Sequence, residues 1–365
     1  MSKVYSKSGV NYDLLDPIKR RAQKSGLETA VNLKNTGFNE IKKSRGESAY
    51  VLEYHDAYFV LVEECLGTKS LVADETIKFT GKTYYDLLAQ DTVAYMVNDL
   101  ITVGARPLSI AAYWAVGSSE WFKDKKRSSD LITGWAKACD LAGASWGGGE
   151  TPSLSGIIDK NAIDLAGACF GIVKPKQRLI LGDKLKEGDS IIFLESRGIQ
   201  SNGVSLARKI AKQLSKGYAT LINKKLIYGE ALLIPTIIYS KIIQDLFSEN
   251  IDIHYMSNIT GHGWRKIMRA NKQLTYSIST LPYIPEVFYF MQEKAKLSDK
   301  DMYATFNMGA GFAIYVNPKD AEKVVIISNK NNIKAWIAGN VEKGEKQVII
   351  KPLNIVYKQQ ELTIR

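Results

Sequence analysis

Four short stretches hold residues able to do chemistry, and all four suit an anionic ligand that travels with a divalent cation. Glu64-Cys65-Leu66-Gly67-Thr68-Lys69 sets a carboxylate at the end of an apolar run, then a glycine, a hydroxyl and an ammonium. A carboxylate offers hard oxygen to Mg2+, glycine lets backbone N–H groups come close to phosphate, and lysine supplies positive charge. The spacing of a Walker-type phosphate loop is absent, and a charged turn is the competing reading. Asp91, Asn98 and Asp99 form the second group. At about 100° per residue Asp91 and Asn98 share one stripe of a helix, with Asp99 about a fifth of a turn away. Their neighbours Leu87, Leu88, Ala94, Val97 and Leu100 are apolar, so the acids either need a partner or a metal, or turn to water.

The third group is Gly147-Gly148-Gly149-Glu150-Thr151-Pro152, where glycines allow close backbone approach and a carboxylate follows at once. A tight turn with a solvated Glu150 is the alternative. The fourth is Gln200-Ser201-Asn202-Gly203, immediately ahead of a helix expected from Ser205. Free N–H groups and the helix dipole attract anions there, with ordinary N-capping as the competing reading.

The elements that must position these groups alternate between strand and helix. Strands are expected over residues 49–54, 58–62, 108–115, 144–146 and 162–173, and helices over 84–100, closed by Gly104, and 131–142. An extended arm, residues 5–11, leads into a helix from about Leu15, and residues 123–127 read as a solvated loop. The charged, proline-containing link Lys174-Pro175-Lys176 is the expected domain boundary, dividing the chain into 1–174 and 175–365. Beyond it come strands 190–194, 275–278, 312–316 and 348–356, with helices over 205–214, 231–247 after a break at Pro235, and 321–329. The pattern indicates a two-domain mixed α/β protein of the α+β type.

Composition narrows the class. Over 365 residues, 45% are hydrophobic and 24% charged, as in a globular enzyme. The net charge of +11 favours anionic ligands, but no basic block is interleaved with aromatics, which argues against nucleic acid as the partner. Three cysteines without a CxxC pair argue for a reducing compartment, and no apolar run approaches the ~20 residues that span a bilayer. A cytoplasmic protein without a membrane partner is expected. The three histidines, His55, His254 and His262, have no metal-ligand spacing.

Taken together, the motifs resemble the aminoimidazole ribonucleotide synthetase (phosphoribosylformylglycinamidine cyclo-ligase) family. Tyr5-Ser6-Lys7-Ser8-Gly9-Val10 is similar to its Y-x-x-x-G-V start, Leu66-Gly67-Thr68-Lys69 to the end of its D-G-V-G-T-K loop, and residues 91–99 to its D-x-V-A-x-x-V-N-D helix. Gly148-Gly149-Glu150-Thr151 resembles its G-G-E-T, and residues 201–206 its S-N-G-x-S-L. Ile259-Thr260-Gly261 and residues 305–309 resemble its I-T-G and T-F-N-M-G turns.

The resemblance implies a homodimer whose N-terminal sheets join in a barrel, and an activity that closes formylglycinamidine ribonucleotide to aminoimidazole ribonucleotide at the expense of ATP. It implies that Glu64, Asp91, Asp99 and Glu150 hold Mg2+ and ATP, with Gly67, Thr68, Gly148 and Gly149 lining the nucleotide and Lys69 neutralising phosphate. Gln200, Ser201, Asn202 and Gly203 would face the substrate's ribose phosphate, and Lys69, Asp91 and Asn202 would serve the reaction. The chain departs from the pattern at Glu64-Cys65, where the family has Asp-Gly, at Gln200, where it has His, and at His262, which interrupts a glycine run. Residues 44–48 replace a glycine-rich stretch. A related ATP-dependent enzyme with another acceptor, or a non-catalytic nucleotide-binding homologue, is the alternative.

Overall fold

A computed structural model describes residues 12–362, so the arm and the motif at Tyr5–Val10 lie outside the described residues. The first half runs α1 (Tyr12–Glu28), β1 (Asn39–Glu40), β2 (Tyr50–Tyr54), β3 (Ala57–Cys65), α2 (Lys69–Thr80), α3 (Tyr85–Leu100), β4 (Arg106–Val116), α4 (Lys125–Ala142), β5 (Ser145–Glu150) and β6 (Ile163–Val173). Its six strands form one sheet in the order β1-β2-β3-β6-β4-β5, antiparallel except for the parallel β4–β5 pair. The second half runs β7 (Ser190–Glu195), α5 (Val204–Gln213), α6 (Tyr228–Leu232), α7 (Ser240–Ser248), β8 (Ile253–Asn258), β9 (Leu274–Ile278), α8 (Glu286–Ala295), α9 (Asp299–Thr305), β10 (Ala310–Val316), α10 (Pro318–Lys330), β11 (Ala335–Lys343), β12 (Gln347–Ile350) and β13 (Ile355–Lys358). These seven strands form a second sheet, β13-β12-β9-β11-β7-β10-β8.

Helix α3 is the pivot of the molecule. Twelve of its residues are buried, on every side, because the first sheet, α4 and the second half of the chain all pack against it. Strand β6 turns alternate residues inward, and two of them are glycines. A Cβ on Gly171 would lie 2.8 Å from Leu100 Cδ2, and one on Gly167 3.0 Å from Met96 Sδ, so the missing side chains set how closely α3 lies on the sheet. A helix buried all round turns its polar residues toward protein, which excludes the solvent-facing reading of Asp91 and Asp99.

Several elements differ from expectation for local reasons. Of residues 123–127, expected as a loop, Lys125–Arg127 begin α4, because Asp124 caps the helix by accepting from the Arg127 amide at 3.0 Å. The helix expected over 231–247 is two helices separated by an extended stretch around Pro235. Residues 348–356 make a hairpin, β12 and β13, turned through Lys351–Leu353 and left-handed Asn354. Helix α2 was not expected, since Lys69 and Ser70 at its head hide its buried face from a hydrophobic pattern. No helix among the described residues is long and apolar enough to cross a membrane.

Candidate active site

Lys69, the first residue of α2, is fully buried. Its ammonium lies 2.7 Å from Asp91 Oδ2 and donates to the carbonyls of Gln200 at 2.8 Å and Ile234 at 3.4 Å. Two carbonyls accept from the ammonium, and its third interaction is the ion pair with Asp91. Asp91 Oδ1 in turn accepts from the Thr236 amide at 2.8 Å and its hydroxyl at 2.5 Å. One turn-pair along the same stripe, Asn98 clasps the same extended stretch, donating to Ile237 O at 2.8 Å and accepting from the Tyr239 amide at 3.0 Å. Burial pushes Lys69 down and Asp91 up from their ordinary values, and each ion opposes the shift of the other. In this structure Asp91 anchors the two halves of the chain to each other, and the Lys69 ammonium is held by Asp91 and two carbonyls rather than presented to a ligand.

The loop ahead of α5 is held by the same helix. Tyr95, one turn beyond Asp91, accepts from the Ser201 amide at 3.0 Å and from Asn202 Nδ2. Gln200 is buried with φ +58°, and its amide packs against Gly311, with neither amide atom finding a hydrogen-bond partner among the described residues. The Ser201 hydroxyl lies against Tyr95 without a well-formed hydrogen bond among the described residues. Gly203, at φ +72°, packs so closely on Phe306 that a Cβ would lie 2.1 Å from its ring. Of the four residues expected to face a phosphate, Asn202 is committed to Tyr95, and the Ser201 hydroxyl interacts with Tyr95 only loosely.

Glu64 and Asp99 form a second acidic centre. Asp99, at the far end of α3, accepts from Asn258 Nδ2 at 2.7 Å. Glu64, on the inner face of β3, is pushed up to about 7, first by burial and then by the charge of Asp99. Lys266, in the turn Gly263–Met268 after β8, is buried nearby and pushed down to about 8 by burial, against the pull of Asp99 and Glu64. His262 is pushed down to about 3 by burial and by Arg265 and Lys266, so it is neutral at physiological pH. Lys19 of α1 also acts on Glu64 and Lys266. Gly67 and Thr68 follow β3 in the chain and lead into the head of α2.

Glu150 does not join them. Cys65 pairs with Ala166, Ala166 with Tyr113, and Tyr113 with Glu150, so Glu150 lies in the row of Cys65, one residue out of step with Glu64. A one-residue offset puts a side chain on the opposite face of a sheet. Glu150, with Gly148 and Gly149, is exposed on the edge strand β5, roughly 14 Å from Glu64 by three strand spacings. Among the described residues no three acidic, histidine or cysteine side chains come together around a metal-sized space. The four acids are therefore divided into an anchor, a pair and an outlier.

Residues 46–173 match the family model described as AIR synthase related protein, N-terminal domain, and residues 186–351 its C-terminal counterpart. A phosphoribosylformylglycinamidine cyclo-ligase of Methanococcus maripaludis is 34% identical over 342 residues, 93% of this chain and 92% of its own. The protein of that name from Methanocaldococcus jannaschii is 38% identical over 80% of this chain and 81% of its own. The chain belongs to the phosphoribosylformylglycinamidine cyclo-ligase family. A solved structure of AaThiL complexed with AMPPCP and TMP shares its fold, with TM-score 0.55 at 15% identity over 86% of this chain and 90% of that one.

Within this cyclo-ligase frame, sequence reasoning missed Tyr95, Asn258, Thr236 and Lys266. Tyr95 carried a usable signal, one turn from Asp91 on the same helix. The other three come from segments whose contact with α3 is set only by the tertiary fold.

Two measurements check this geometry. Lys69→Met leaves Asp91 buried without its ion and should cost about 3–5 kcal/mol in chemical denaturation, while Lys69→Met/Asp91→Leu recovers a large part. A loss below about 1 kcal/mol for the single variant would show the pair to be dispensable. Glu64 has a folded-state pKa of about 7 against 4.5 for the free side chain. Its stabilising contribution is complete below pH 4.5 and lost as pH rises through about 7. In metal-free buffer the wild type should therefore lose about 3 kcal/mol relative to Glu64→Gln across that window. A flat difference would mean that Glu64 is not held in a buried acidic pair.

Proposed function

We propose that the chain is an ATP-dependent cyclo-ligase that converts formylglycinamidine ribonucleotide to aminoimidazole ribonucleotide in purine synthesis. The observation that carries this reading is kinship along almost the whole chain with proteins of that name. In the reaction the formyl amide oxygen attacks the γ-phosphorus of ATP and ADP leaves. The amidine nitrogen then attacks the activated carbon, the C–O bond to phosphate breaks, and a proton is lost as the ring closes. Positioning and charge balance are what such a site must supply.

Glu64 and Asp99 are the pair we assign to Mg2+. Two carboxylates suit Mg2+, which usually keeps waters and substrate phosphates as its remaining ligands. The raised pKa of Glu64 marks a site short of positive charge. When bound, the ion would neutralise polyphosphate charge. Gly67 and Thr68, at the head of α2, we assign to the nucleotide. Ser201 Oγ and the N-terminal turn of α5 we assign to the ribose phosphate, with Lys69, Asp91 and Tyr95 acting as positioning residues that fix the loop. Gln200 shapes this loop from behind.

The outer face of the first sheet supports a homodimer. Leu61 and Phe170 are paired across β3 and β6 and stand 50% and 41% exposed, and Phe59 stacks on Phe170. Ala111, Ala166 and Ala168 continue this surface up to Glu150. We assign it to a barrel-like interface with a second copy, which would bring Gly148, Gly149 and Glu150 against the partner subunit. A domain division at Lys174, with nucleotide and dimer contacts before it and acceptor contacts after it, and a cytoplasmic location belong to the same reading.

Incubation with formylglycinamidine ribonucleotide and Mg2+–ATP should yield aminoimidazole ribonucleotide, ADP and phosphate in equal amounts, and Asp99→Asn should lower kcat/KM about 100-fold or more. ATP turnover only with another acceptor would overturn the assignment. Sedimentation should give a dimer for the wild type and a monomer for Leu61→Glu/Phe170→Glu. A monomeric wild type would remove the interface from the account.

A further inference from the structure

The turn after β8 carries a buried cation whose hydrogen-bonding capacity is largely unspent. Lys266 is 8% exposed, and its ammonium donates to Thr260 Oγ1, its one hydrogen-bond partner among the described residues. Two of its three N–H donors remain, whereas Lys69 has two carbonyl acceptors and a direct ion pair. A buried ammonium in that state is costly unless something else takes the remaining donors.

Its surroundings say what that is. Asp99 holds Asn258, two residues ahead of Thr260, and the Ser257 hydroxyl donates to the Lys266 carbonyl at 2.9 Å. The turn is thereby fixed against the end of β8 that touches α3. Glu64 and Asp99 both attract the ammonium, while Arg269 and Lys19 repel it, yet no carboxylate forms a direct ion pair with it among the described residues. The cation therefore stands close to the two acids without being neutralised by contact. A polyphosphate brought up to two carboxylates meets strong repulsion, and a fixed positive charge with free donors on the same side relieves it.

Resting on the nucleotide reading above, we propose that Lys266 binds the terminal phosphates of the nucleoside triphosphate through its unspent N–H groups. It acts beside Mg2+ as a counter-charge between those phosphates and the Glu64–Asp99 pair. Lys266, rather than the fully engaged Lys69, is then the phosphate-binding lysine of this chain. The residue discriminates by charge and reach, so it favours a triphosphate over a diphosphate.

Calorimetric titration of the full-length chain with ADP and with AMPPCP, at saturating Mg2+, tests this. In Lys266→Met the affinity for AMPPCP should fall by at least about tenfold while that for ADP changes by less than about threefold, and Lys266→Arg should recover most of the loss. No loss, or equal losses for the two nucleotides, would give Lys266 a structural role and overturn the proposal. Should Lys266→Met fail to fold, Thr260→Val carries the same comparison by freeing the ammonium from its anchor. Selective weakening of AMPPCP supports the proposal, and unchanged or equally changed affinities overturn it. A wild type that binds neither nucleotide would defeat the nucleotide reading itself, a result distinct from any effect of Lys266.

Discussion

The ion pair between Lys69 and Asp91 is the constraint on which the rest of the site depends. It is buried without exposure at the meeting point of α2, α3, the Gln200 loop and the extended stretch around Pro235. A pair so placed is weak evidence for stability, because desolvation offsets much of its attraction, but removing either ion leaves the other stranded. What it secures here is geometry. Through it, and through Asn98 and Tyr95 on the same helix, α3 fixes the second half of the chain against the first.

A division between spent and unspent polar groups follows from that arrangement. Lys69, Asp91, Asn98 and Asn202 are engaged with other groups of the chain, so they shape the site. Glu64, Asp99 and Lys266 carry charge that no direct ion pair among the described residues answers. Such groups persist in a folded protein where a ligand completes them, and unbalanced buried charge is a mark of a functional centre. Along α3 the two sets meet at Asn98 and Asp99, with Asp91 about two turns before Asp99.

Much of this was legible in the sequence. The 3.6-residue period placed Asp91 and Asn98 on one stripe, and both do reach the same extended stretch. Apolar neighbours told that the helix was buried, and the order of the short motifs told the family. Other features were not legible. Glu64 and Glu150 each end a strand and look alike as isolated acids, but strand pairing puts them one residue out of step and hence on opposite faces. Lys69 reads as a phosphate-binding lysine after a glycine, and only the tertiary contacts to Gln200 and Ile234 show its donors used. Lys266 sits in a turn without periodicity, where no local pattern predicts burial or a neighbouring acid.

A crystal structure of the chain with Mg2+ and AMPPCP tests the central claim most directly. The account predicts the terminal phosphates beside Glu64, Asp99 and Lys266, with the Lys69 ammonium still on Asp91 at about its present 2.7 Å. Lys69 turned away from Asp91 onto a phosphate, with Asp91 among the metal ligands, would contradict it.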